Sequence, residues 1–125
     1  ERIRQELPAG SDSEYSQHAN RILAYLNVHY NRDLSLDHLA GLMNLHPNYI
    51  SSLFKKETGD TFVNYLNGLR IREAKKLLKE DRQLPVHAVG QRVGYENKHY
   101  FAKVFKKYTG TTPGAYRESG RSKEE

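Results

Sequence analysis

The stretch NKHYFAKVFKKYTG, residues 97–110, answers the stretch HPNYISSLFKKETG, residues 46–59, at a spacing of 51. Phe54 pairs with Phe105, Lys55-Lys56 with Lys106-Lys107, and Thr58-Gly59 with Thr109-Gly110. Tyr49 and Tyr65 find Tyr100 and Tyr116 at the same spacing. A chain of 125 residues that repeats itself over such a span builds one supersecondary unit twice. Units below about 60 residues bury too little surface to be comfortable alone, so the two copies are expected to share an element between them.

Helical periodicity fills in what surrounds the repeat. From about Glu14, Ala19, Ile22, Leu23, Leu26 and Tyr30 fall on one helix face, and Asn31-Arg32-Asp33 reads as the turn after it. Ser35 is placed to cap a short helix from Leu36 to about Met43, with Leu36, Leu39, Ala40 and Met43 inward. Asn44-Leu45-His46 forms a tight turn, and Pro47 occupies the first position of the next helix, where proline costs least. That helix runs to about Glu57 and stops at Gly59. Two helices joined by a turn of about three residues form the helix-turn-helix pattern.

A longer helix follows from Thr61 to Leu78 or Lys79. Its apolar residues fall in two groups, Phe62, Tyr65, Leu66 and Leu69, then Ile71, Ala74, Leu77 and Leu78, rotated well over 90° from each other at about 100° per residue. One helix therefore offers two faces to two partners, as a shared element must. After the loop Asp81–Pro85 the short helix recurs at Val86–Val93, with Val86, Val89, Gly90 and Val93 inward. Gly94 stands where the turn needs a residue tolerant of positive φ. Asn97 caps a helix reaching Tyr108 and ended by Gly110, and Thr112-Pro113 starts a last short helix through Arg117. Before the turns the copies match at a spacing of 50, after them at 51, so the second turn is one residue longer. The expected fold is all-α, about seven helices: two helix-turn-helix subdomains, residues 14–60 and 80–118, joined by a central linker helix, 61–79. Residues 1–13 read as a linker end and 119–125 as a disordered tail.

Within each copy the second helix carries a polar stripe beside an apolar one. Asn48, Ser51, Ser52 and Lys55 share a face, as do His99, Ala102, Lys103 and Lys106. Ile50, Leu53, Phe54 and Glu57, and Phe101, Val104, Phe105 and Tyr108, form the neighbouring, mostly apolar faces. Small side chains let a helix backbone approach base edges in a major groove. Asn48 suits adenine, and Lys98 or Lys103 suits guanine O6 and N7. Lys55, Lys56, Lys106 and Lys107 lie near helix C-termini, where they can meet phosphates. A net charge of +5 and a pI near 9.4 fit an anionic partner. A linker helix of about 18 residues is about 27 Å long. Successive major-groove faces lie roughly 34 Å apart, so this length permits two readers one turn apart.

Other chemistries find little support. There is no cysteine, which removes disulfides, thiol catalysis and Cys-containing zinc sites and fits a reducing compartment. His18, His29, His38, His46, His87 and His99 make no metal-ligand spacing, and no nucleophile elbow, P-loop or dinucleotide glycine pattern occurs. Glu57 and Glu96 have no partner carboxylate set by the pattern. No apolar run approaches the ~18 residues of a membrane span, and no signal-peptide segment opens the chain. The expectation is a non-enzymatic, cytoplasmic DNA binder without cofactor or metal. The competing reading is a helical protein-interaction module with only non-specific nucleic-acid affinity.

The segments LSLDHLAGLMNLHPNYISSLFKKETG and VHAVGQRVGYENKHYFAKVFKKYTGTTPGAYR resemble the DNA-binding domain of the AraC/XylS family of bacterial transcription regulators, over about residues 17–118. The second segment carries that family's signature, an aromatic after glycine, then F-x-x-x-F-K-K, closing with P-x-x-Y-R. The resemblance implies two helix-turn-helix subdomains on a linker helix and sequence-specific binding of double-stranded promoter DNA in successive major grooves. RNA polymerase is implied as a further partner. By position it makes Asn48, Ser51, Ser52, Lys98, His99 and Lys103 the base-reading residues. Where members often carry a large or charged residue, this chain has Ser51 and Ser52, which shortens the reach of its first reader. The text around His29-Tyr30-Asn31 and Asn48-Tyr49-Ile50 is most similar to members fused behind a response-regulator receiver domain. With Glu1 in place of a methionine, a preceding sensor or receiver domain is expected.

Overall fold

Capping chemistry written into the sequence decides where most helices begin and end. The computed structural model describes residues 9–124, with side chains over residues 16–119. Among the described residues there are seven helices and no strand: α1 (Ala9–His29), α2 (Leu36–Met43), α3 (Pro47–Thr58), α4 (Phe62–Glu80), α5 (Val86–Arg92), α6 (Lys98–Thr109) and α7 (Pro113–Glu124). Ser35 Oγ accepts the His38 N–H at 3.0 Å, so α2 starts with one of its orphan donors satisfied. The turn after α2 begins with Asn44 at φ 56°, the turn after α5 includes Gly94 at φ 112°, and both use residue types that tolerate the left-handed region.

Two expectations about the ends need correction. The first helix begins at Ala9, not near Glu14. No proline falls between Ala9 and His29 to interrupt it. The last helix continues to Glu124 rather than stopping at Arg117, since no proline follows Pro113 to break it. The segment read as a disordered tail is thus helical through Glu124. The remaining boundaries fall within about two residues of those read from periodicity. The part of the linker reading on residues 1–8, and Glu125, lie outside the described residues.

The chain divides into two units. One takes the chain up to His29 together with Leu34–Phe62. Its buried residues are Ala19, Ile22 and Leu26 from α1, Leu39 and Ala40 from α2, and Ile50, Leu53 and Phe54 from α3. Phe62 meets Phe54 edge-on at 5.6 Å, and Tyr49 shares a 2.8 Å hydrogen bond with His18 Nδ1. Leu36 and Met43, read as inward, are only half-buried.

The other unit takes Tyr30–Asp33 with the chain from Val63 onward. Ile71, Ala74 and Leu78 of α4 close a core with Val89, Val93, Tyr95, Phe101, Val104 and Phe105. Burying each of the two phenylalanines stabilises the unit by about 1.5–3 kcal/mol. Gly90 lets α5 and α6 come together: a Cβ there would lie 2.8 Å from Phe101 Cγ. Tyr116 packs on this core at 5.5 Å from Phe105. Arg117 then donates to the carbonyls of Leu78, Asp81 and Leu84 at 2.9, 3.0 and 2.8 Å. Those bonds tie the end of α4 to its loop, and Asp81 O accepts the Leu84 N–H at 3.2 Å besides.

Candidate nucleic-acid interface

Both second helices of the helix-turn-helix pairs are built alike. α3 is capped by His46, whose Nδ1 accepts the Asn48 N–H at 3.1 Å, and Pro47 fills its first position. α6 is capped by Asn97, whose Oδ1 accepts from His99 N–H at 2.8 Å and Tyr100 N–H at 3.0 Å. Each helix ends on the same device. Thr58 Oγ1 donates to Phe54 O at 2.7 Å and accepts the Asp60 N–H at 3.1 Å. Thr109 Oγ1 donates to Phe105 O at 2.8 Å and accepts the Thr111 N–H at 3.2 Å. Gly59 (φ 78°) and Gly110 (φ 83°) then take the left-handed cap. The Phe and Thr-Gly identities in the repeat are therefore scaffold: the aromatic is buried and the Thr-Gly pair closes the helix.

With the apolar faces of α3 and α6 turned inward, the opposite faces are left to solvent. Asn48, Ser51, Ser52, Lys55 and Lys56 of α3 are all exposed, as are Lys98, His99, Lys103, Lys106 and Lys107 of α6. Ala102 is half-buried at the edge of its stripe. Glu57 and Tyr108, grouped with the apolar faces on periodicity, are exposed too, because each sits at the margin of its inward stripe. The Tyr108 hydroxyl donates to Asn64 O at 3.2 Å.

The two faces differ in charge. α6 carries four lysines and no carboxylate, whereas α3 offsets its two lysines with Glu57. In both, paired lysines occupy the last turn, where cations complement the helix dipole. α6 thus presents long donors near its start and middle. α3 presents an amide and two hydroxyls on a short-reach surface.

Sequence reading missed the polar residues beneath the second unit's turn. Arg70 is 9% exposed, and its Nε and Nη2 donate to the carbonyls of Tyr30 and Arg32, each at 2.7 Å. Its guanidinium lies 5.3 Å from the ring centre of Tyr95, whose hydroxyl donates to Asn67 Oδ1 at 2.6 Å. Burial pushes the Arg70 guanidinium below its ordinary value and the Tyr95 phenol well above its own. One signal was available. Asn67, Arg70 and Ala74 recur at i, i+3 and i+7, so both polar residues lie on the stripe that Ala74 buries. Among the described residues no three His, Asp or Glu side chains gather to hold a metal, and no helix is long and apolar enough to cross a membrane.

Comparison with known proteins converges on one family. The helix-turn-helix domain family matches residues 39–119. The transcriptional regulator YtdP of Bacillus subtilis is 35% identical over 117 residues, 94% of this chain and 15% of YtdP, so the chain spans a small part of that relative. Among solved structures, the C-terminal domain of AraT, a response regulator from Geobacillus stearothermophilus, superposes with a TM-score of 0.78 at 37% identity, over 80% of this chain and 83% of that one. The DNA-binding domain of the global transcriptional factor AdpA, solved with a target DNA, shares the fold at a TM-score of 0.79 and 22% identity, over 83% of this chain and 93% of that one.

Proposed function

The chain belongs to the helix-turn-helix domain family of AraC/XylS-type transcription regulators, and from that membership we propose that it binds promoter DNA sequence-specifically, with α3 and α6 reading successive major grooves. One observation carries this reading: twice over, a capped helix buries its aromatic face and exposes a stripe of small and donor side chains. Asn48, Ser51 and Ser52 read bases at close approach, and Lys98, His99 and Lys103 read them at longer reach. Lys55, Lys56, Lys106 and Lys107 meet phosphates and set the register.

The chain acts without catalysis, in the cytoplasm, as the output domain of a longer regulator that works on RNA polymerase. The likeness to the response-regulator domain of AraT supports a receiver domain as its partner. Selection of duplexes from a random pool tests the proposal directly. The expected product is a bipartite site with half-sites about 10 base pairs apart. Affinity for it should fall steeply with salt as phosphate contacts release counterions. Equal, weak binding to every duplex at every salt concentration would instead identify a helical interaction module.

A further inference from the structure

A cleft of about 790 Å³ opens beside the start of α6, with Asn31, Asp33, Arg70, Tyr95, Asn97 and Tyr100 among its lining. Arg70 is the side chain that ties its walls together. Two carbonyls of the α1–α2 loop hold the guanidinium from one side, and the Tyr95 ring lies against it on another. Tyr95 in turn contacts the first turn of α6, 5.8 Å from Tyr100 and 5.5 Å from Phe101 between ring centres. Its own N–H is fixed by Gly90 O at 2.8 Å. Gly94 completes the fit, since a Cβ at its φ of 112° would lie 2.8 Å from Arg70 Nε and 3.0 Å from Tyr30 O.

We propose that Arg70 is a positioning residue for DNA reading: through Tyr95 it fixes the first turn of α6, which carries Lys98 and His99, against the Tyr30–Asp33 loop. This rests on the reading of α6 as a recognition helix. The chemistry requires an arginine. A planar fork reaches two carbonyls at once and still stacks on a ring, whereas a lysine ammonium is a point charge that cannot hold both geometries. The position of a base-contacting side chain is then set by a buried residue that touches no DNA.

The test compares the full chain with its Arg70→Lys variant on the selected duplex, with single-base changes introduced separately in the α6 and α3 half-sites. In the wild type each change is expected to weaken binding by about tenfold or more. Arg70→Lys should reduce the α6 half-site penalty to about twofold and leave the α3 penalty as it was, at a temperature where the melt shows the variant folded. A residue that served only stability would change both penalties together or neither. An unchanged α6 penalty in the folded variant overturns the proposal, whereas a wild type that discriminates at neither half-site overturns the reading of α6 itself. A second measurement needs no variant. In the wild-type chain the Arg70 Nε proton should exchange with solvent through the same opening as the Tyr95 and Phe101 amides, and independent exchange would also overturn the proposal.

Discussion

Lys103 and Lys55 occupy comparable exposed stripes on α6 and α3, and the proposal gives them different roles. Lys103 sits in mid-helix beside half-buried Ala102, a small side chain of the kind that the proposed groove contact calls for. Lys103→Ala should cost about 1–3 kcal/mol on the preferred duplex and little on others, as read by competition binding. Uniform weakening on all sequences would remove its base-reading role. Lys55 lies in the last turn of α3, and Lys55→Ala should weaken all duplexes alike while lowering the salt slope by about one. Tyr95 gives a prediction about pH. Burial holds its phenol neutral above its ordinary value of 10.0, so its contribution to stability is complete below that pH and is lost as pH rises toward the folded-state value. Denaturant unfolding at about pH 9 and about pH 11 should therefore show a larger loss in the wild type than in Tyr95→Phe. Equal losses would show that the phenol is not protected.

At the scale of the element, α4 combines two apolar groups with a polar pair, Asn67 and Arg70, on the stripe that Ala74 buries. Leu66 and Leu69 are each 5% exposed, and Ile71, Ala74 and Leu78 are buried in the second unit's core. Leu69→Ala should destabilise the chain by about 2–5 kcal/mol in a thermal or denaturant melt, and an unchanged melt would contradict its burial. The helix ends were legible because capping is local. Ser35, Asn97, Gly59 and Gly110 act within a few residues of themselves, so the side chain alone names the role. Arg70 and Arg117 were not legible in the same way. Their partners lie between 33 and 40 residues away, and an arginine seeking carbonyls leaves no periodic trace.

For the molecule as a whole, the proposed bipartite site makes a claim about spacing. Inserting about five base pairs between the half-sites turns one of them through about half a helical turn. The two readers then cannot engage together, and affinity should drop to that of a single half-site as effective concentration is lost. Binding indifferent to the insertion would leave one helix as the sole reader. The exposure of the ten residues proposed to contact DNA was legible because amphipathic periodicity separates an inward face from an outward one. By itself the sequence determined the repeat, the helix-turn-helix pairs, the caps and the polar stripes, since each depends on residues within one or two turns of one another. Only the tertiary structure decided what stands behind α6. The Tyr30–Asp33 loop, Arg70 and Tyr95 meet through hydrogen bonds and stacking between residues far apart in sequence, and such contacts exist only once the chain has closed on itself.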